Sequence, residues 1–178
     1  LWLLSAYIKE WHPGIPMIAI SHGTDLRQLE LSPRFAQEVI EGCRGIEKVF
    51  ALNPFQKDRI HNLYAIEKER IIVMGNGYDG DLFYPDPQRR GGDRIELVYT
   101  GKISNAKGVP SLLRAFDLLE LPQRELKLTL IGGGEGEEYQ GIHRLADTID
   151  KPIEFTGTLP QKEVAQRFRE SDIFILPS

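Results

Sequence analysis

Short, almost wholly apolar runs alternate with longer amphipathic stretches along this chain, and the alternation is interrupted once. The runs are MIAIS (17–21), KVFAL (48–52) and RIIVM (70–74) before the interruption. After it come IELVYT (95–100), LKLTLI (126–131), PIEFTG (152–157) and DIFIL (172–176). Such runs are too short for buried helices, and apolar side chains at successive positions require cover on both faces. Parallel strands sandwiched between helices meet that requirement, so the pattern predicts strands at all of these places. Ser32 before Pro33, and Asn53 before Pro54, pair a capping side chain with a proline suited to a first helical turn. They predict helices to about Cys43 and Tyr64, while residues 1–10 read as the end of a helix closed by a turn through Pro13, Gly14 and Pro16. Further helices are predicted over 111–120, with Leu112, Leu113, Phe116 and Leu119 on one face, over about 135–148, and over 161–170 with Val164, Ala165 and Phe168 inward.

The interruption is residues 79–94, which hold two prolines and three glycines without any hydrophobic period and read as a linker between domains. Strands alternating with helices on both sides of it make the fold class α/β, with a doubly wound parallel sheet in each half. Ligands of such sheets bind beyond the carboxyl ends of the strands. The segments in that position include His22–Asp25, Gly101–Lys107, Gly132–Gly136 and Thr156–Leu159, and two such rims joined by a linker imply a cleft between domains.

Composition narrows the field. With 22 Lys and Arg against 26 Asp and Glu, the net charge is −4, and a nucleic-acid-coating surface would need a basic face. The one cysteine, Cys43, forbids an internal disulfide and suits a reducing, cytoplasmic setting. The opening LWLLSAYIKEW is apolar for too few residues to span a membrane and lacks the basic flank of a signal peptide. His12, His61 and His143 stand isolated, so no metal site is expected. Neither a Walker loop nor a G-x-S-x-G elbow is present.

Against that acidic background, LVYTGKISNAKGVPSLLRAF (97–116) has no carboxylate and three cations, Lys102, Lys107 and Arg114. Two readings are open for the lysines: solvated loop side chains, or a pair gripping a di-anion beside the free N–H groups of a helix start. In Gly132-Gly133-Gly134-Glu135-Gly136 the dinucleotide fingerprint fails, because Glu137 stands where a third glycine belongs. A tight turn with close backbone approach is the better reading. Glu135, Glu137 and Glu138 suit the helix dipole there but would repel a pyrophosphate. At the other rim, His22 and Thr24 could bond sugar hydroxyls or serve as structural groups, and Asp25 could cap the next segment.

In their order and spacing, these pieces resemble the family 4 retaining glycosyltransferases of the GT-B fold. HGTDL (22–26) is similar to that family's strand-end motif in the N-domain. VFALNPFQKDRI (49–60) with RIIVMGNGYDGDLFYP (70–85) resembles its passage V-x-P-N-G-V-D-x-x-x-F-x-P into the hinge, with Gly75 in place of proline and Tyr78 in place of valine. Residues 97–116 are similar to its G-R-x-x-x-x-K-G-x-x-x-L-x-x-A-F signature, with Lys102 in place of arginine, which keeps charge but loses the planar fork. LTLIGGGEGEEY (128–139) and IEFTGTLPQKEVAQRFRESDIFILPS (153–178) resemble its next two strand-and-turn segments.

The resemblance implies two Rossmann-like domains, both incomplete here. Residues 1–78 would be the end of an acceptor-side domain, 79–94 the linker, and 95–178 the start of a donor-binding domain. It implies transfer of a sugar, with retention, from a nucleotide-diphosphate sugar to a carbohydrate or other hydroxyl acceptor, without metal or other cofactor. By the same resemblance, Gly101, Lys102 and Lys107 would meet the donor diphosphate, Thr158 and Leu159 the nucleobase, and His22, Gly23 and Thr24 the acceptor side, with His22 near the donor sugar as well; His22, Lys102 and Lys107 would be the catalytic residues. The family's Glu-x7-Glu segment would follow Ser178, so the chain alone is expected to be inactive. Strands within 17–74 are expected to show exposed edges, covered by another chain or disordered. A non-catalytic nucleotide-sugar-binding or regulatory module, and an epimerase or phosphorylase on the same plan, are the alternatives.

Overall fold

The computed structural model describes residues 4–31, 33–88 and 92–177. The expected cap at Ser32 and part of the expected linker, 89–91, lie outside the described residues. The chain forms two compact units, Leu1–Gly77 and Tyr78–Ser178.

The first unit runs α1 (Ser5–Trp11), β1 (Ile18–Ile20), α2 (Thr24–Leu31), a 3-10 turn (Pro33–Phe35), α3 (Ala36–Cys43), β2 (Lys48–Ala51), α4 (Pro54–Tyr64), a second 3-10 turn (Lys68–Arg70) and β3 (Ile71–Val73). Its strands pair in parallel in the order β1-β2-β3. The middle strand carries the core: Val49 and Ala51 are fully buried and pack with Leu26, Cys43, Ile46, Ile60 and Tyr64. The helix α4 starts as the Asn53-Pro54 pair predicts, with Asn53 Oδ1 accepting the Gln56 N–H at 2.7 Å. The helix α2 has no counterpart in the hydrophobic pattern, because Leu26 is its one buried residue.

Among the described residues, no strand pairs with the outer side of β1 or of β3. The Ser21 N–H donates to the Phe50 carbonyl and the Met17 carbonyl accepts from the Glu47 N–H. The odd-numbered residues therefore turn their backbone toward β2, while Ile18 and Ile20 turn theirs outward. Their side chains are 62% and 49% exposed, as expected for strand edges within 17–74.

The second unit runs β4 (Arg94–Thr100), a 3-10 turn (Asn105–Lys107), α5 (Val109–Leu118), β5 (Glu125–Ile131), α6 (Gly136–Ala146), β6 (Ile153–Gly157), α7 (Gln161–Glu170) and β7 (Ile173–Phe174). Its strands are parallel in the order β6-β5-β4-β7. The chain steps outward from β4 to β6 and then returns to the far side of β4. That reversal is the switch point at which doubly wound sheets open a crevice. Leu97, Tyr99, Val109, Leu113, Phe116, Leu128 and Leu130 form the centre of the core. The helix α5 ends one residue before Leu119, which is 40% exposed rather than on the buried face expected of it. Part of the segment expected as linker packs against α7. The Phe83 ring centre lies 5.9 Å from that of Phe168, the Arg169 guanidinium sits 4.8 Å over Tyr84, and Arg169 donates to the Leu82 carbonyl at 3.1 Å.

Candidate functional site

A cleft of ≈ 700 Å³ opens beyond the carboxyl ends of β4, β5 and β6. Its lining brings together Gly101, Lys102, Thr158 and Leu159, four of the five residues expected at the donor, with the glycine turn that follows β5.

Glycines make this rim possible. A Cβ on Gly132 would lie 1.9 Å from the Gly101 carbonyl oxygen, so the ends of β4 and β5 touch backbone to backbone. Gly132 also has a φ of 142°, which L side chains rarely adopt. Around that contact, the Gly101 N–H donates to the Ile131 carbonyl at 3.0 Å and the Gly132 N–H to the Gly157 carbonyl at 2.9 Å. The loop 101–105 is then held at three more points. The Ile103 N–H donates to the Gly133 carbonyl at 2.8 Å, the Tyr99 hydroxyl to the Lys102 carbonyl at 2.8 Å, and the Asn105 N–H to Glu138 Oε1 at 2.8 Å. Gly134 completes the packing, since a Cβ there would meet the Ile103 carbonyl oxygen at 2.6 Å.

This wiring changes the electrostatic picture. One of the three carboxylates at the start of α6, Glu138, is occupied by the Asn105 backbone, whereas Glu135 lines the cleft. The Lys102 side chain is exposed, and neither it nor that of Lys107 has a hydrogen-bond or ion-pair partner among the described residues. An unpaired ammonium beside a clamped floor suits an anionic ligand. Lys107 does not line the cleft. It ends the 3-10 turn, just before Gly108, where a Cβ would lie 2.9 Å from the Pro177 side chain that follows β7. The start of α5 has no side-chain cap, but the Val109 N–H donates to the Ser104 carbonyl at 3.4 Å, the Leu112 N–H to the Gly108 carbonyl at 3.0 Å and Pro110 has none, so that helix end offers an anion little more than the Ser111 N–H.

The second group of expected residues lies in the first unit, where β1 turns into α2. His22 and Thr24 are exposed, and Gly23 takes a φ of 92°. Asp25 Oδ1 accepts from both the Gly23 N–H at 3.0 Å and the Ser21 hydroxyl at 3.1 Å. Ser21 accepts in turn from Gln56 Nε2 at 3.3 Å, and Gln56 Oε1 takes the Leu52 N–H. Asp25 Oδ2 is buried and has no hydrogen-bond partner among the described residues. Beneath this network, burial pushes the Cys43 thiol up to about 12, with the Asp25 charge adding to the effect. The sequence reading missed Ser21 and Gln56. The spacing Asn53-x-x-Gln56, which is that of a capping box, was the available signal.

Among the described residues no cluster of His, Cys, Asp and Glu could hold a metal ion, and no helix is long and apolar enough to cross a membrane. Residues 94–178 match the family described as "Glycosyl transferases group 1". Mannosylfructose-phosphate synthase of Agrobacterium fabrum is 24% identical, over 76% of this chain and 33% of its own length. D-inositol 3-phosphate glycosyltransferase of Corynebacterium efficiens is 30% identical, over 73% of this chain and 35% of its own. The chain thus spans about a third of the length of these relatives. The structure of Anabaena Alr3699/HepE in complex with UDP and glucose superposes with a TM-score of 0.76 at 16% identity, over 99% of this chain and 50% of that one. The two parallel α/β units are those of a GT-B glycosyltransferase fold, of which this chain covers part.

Proposed function

We infer that this chain, whose residues 94–178 belong to the group 1 glycosyltransferases, serves the transfer of a sugar from a nucleotide-diphosphate donor to an acceptor hydroxyl with retention at the anomeric carbon. The observation that carries the reading is the unpaired Lys102 ammonium at a cleft whose floor is fixed by glycine contacts. In this reading Lys102 neutralises the charge that grows on the departing diphosphate, and Lys107 assists from the switch-point side. The two ammonium groups then supply the positive charge that a divalent ion would otherwise bring to the leaving group. Thr158 and Leu159 border the base, and His22, Gly23 and Thr24 serve the acceptor. The solved complex of Alr3699/HepE with UDP supports a nucleoside diphosphate as the ligand class. Because the chain spans about a third of its curated relatives, we expect it to bind nucleotide but to transfer no sugar by itself. A cytoplasmic setting fits this donor class and the single buried cysteine.

Calorimetric titration with UDP, GDP and ADP, each with and without EDTA, tests the binding. Transfer assays on the full-length parent, with the anomeric configuration read by NMR, test the chemistry. Metal-independent binding of one diphosphate and retention in the product are expected. Binding without any transfer or donor hydrolysis in the parent would refute the enzyme reading.

A further inference from the structure

The geometry points to Asp25 as a positioning residue that holds the His22–Thr24 turn and on which acceptor use, rather than donor use, depends. This rests on the reading above that His22 serves the acceptor. The turn has little packing of its own. It leaves a three-residue edge strand and enters a helix whose one buried residue is Leu26. Gly23, at a φ of 92°, adopts that conformation freely but equally leaves it freely.

The Ser21 N–H donates to the Phe50 carbonyl at 3.0 Å and the Arg27 N–H to the Gly23 carbonyl at 3.1 Å, and across His22 itself one carboxylate oxygen bridges the residues on either side, taking the Ser21 hydroxyl and the Gly23 N–H at 3.1 and 3.0 Å. Ser21 is fully buried and tied through Gln56 to the ends of β2 and α4, so the bridge ends in the sheet and not in solvent. A helix-capping carboxylate at the surface would keep its second oxygen in water. Asp25 instead holds Oδ2 buried and unpartnered among the described residues, at a cost to the fold. That arrangement is understandable if the shape of the turn, and not stability, is what the residue supplies.

The test uses the full-length parent with Asp25→Ala, Asp25→Asn and His22→Ala. Asp25→Ala is expected to raise the acceptor KM about tenfold, shift the His22 ring resonance in NMR and accelerate exchange of the Gly23 amide. Donor KM and donor hydrolysis should stay within about twofold. Asp25→Asn keeps the Oδ1 acceptor and should recover most of the loss; it also serves if the alanine variant folds poorly. The inference is overturned if the acceptor KM is unchanged in Asp25→Ala, or if donor and acceptor parameters worsen together. A silent His22→Ala would instead refute the acceptor reading. Gly23 exchange in Asp25→Ala would then decide the positioning role by itself, and unchanged exchange would overturn it.

Discussion

Replacing Gly132 by alanine should damage the second unit far more than any neighbouring glycine replacement. The added Cβ would stand 1.9 Å from the Gly101 carbonyl oxygen, where real Cβ atoms keep at least 3.0 Å. The ends of β4 and β5 must therefore part by about 1 Å, which opens the hydrogen bonds from Gly101 to Ile131 and from Gly132 to Gly157. Gly101, Gly132 and Gly157 are half-buried, so each opened hydrogen bond costs about 0.5–1.5 kcal/mol, and a side chain at this φ adds about 1–3 kcal/mol. The expected loss is about 4 kcal/mol, a large share of the stability of a small domain. Gly157→Ala is the control. Gly157 also has a positive φ, of 70°, but nothing lies within 4 Å of its Cβ position, so only strain of about 1–2 kcal/mol applies. Urea titration followed by far-UV circular dichroism reads both units. Labelling of Cys43, buried in the first unit, reads that unit alone. With a urea slope of about 2 kcal/mol/M, Gly132→Ala should bring one dichroism transition down by roughly 2 M while the Cys43 transition stays in place. Equal losses for Gly132→Ala and Gly157→Ala would refute the collision as the cause, and a shifted Cys43 transition would refute its confinement to the second unit.

Lys102→Ala should weaken nucleoside diphosphate binding about tenfold and Lys107→Ala only about threefold, with unchanged melting temperatures; calorimetry giving the reverse order would refute the assignment of Lys102 to the cleft. Glu154 accepts from Lys127 at 2.5 Å and from Arg167 at 2.9 Å, and the Lys127 hydrogen bond, followed by the charges of Lys127 and Arg167, holds its carboxyl below the usual range. A lowered folded pKa gives stability that is present above the unfolded value and lost as pH falls through the folded one. The stability gap between wild type and Glu154→Gln, under about 1 kcal/mol at this exposure, should therefore be flat above about pH 5 and close toward about pH 3; a gap that widens in acid would refute it. Lys151 donates to the Phe116, Asp117 and Leu119 carbonyls at the end of α5, so Lys151→Met should lower stability by about 1–2 kcal/mol in urea melts, and an unchanged midpoint would refute that role.

Seven strands were legible because parallel strands covered on both faces write themselves as continuous apolar runs. The helix α2 was not legible, since a helix held by Leu26 alone has no periodicity to read. The end of α5 was misjudged for a different reason. Its carbonyls are taken by Lys151, more than thirty residues away, and no local signal marks that stop. At the site, position beyond a strand end sufficed to bring Gly101, Lys102, Thr158 and Leu159 together. Lys107 was harder to place, because the 3-10 turn at Asn105–Lys107 carries it out of the cleft lining. The acids before α6 looked uniformly hostile to phosphate, and only the fold shows Glu138 turned to the Asn105 N–H. Ser21 and Gln56 meet across 35 residues of chain, which no short motif spells out.

The outward amides of Ile18 and Ile20 carry a practical consequence for anyone who purifies this polypeptide. Donors and acceptors with no partner among the described residues, flanked by exposed isoleucine, form a template to which strands of neighbouring molecules can add. Concentrated solutions should thicken slowly through strand addition, and a charged residue at that margin, such as Ile20→Lys, should keep the molecules apart in light scattering without disturbing the glycine-floored rim of the other unit.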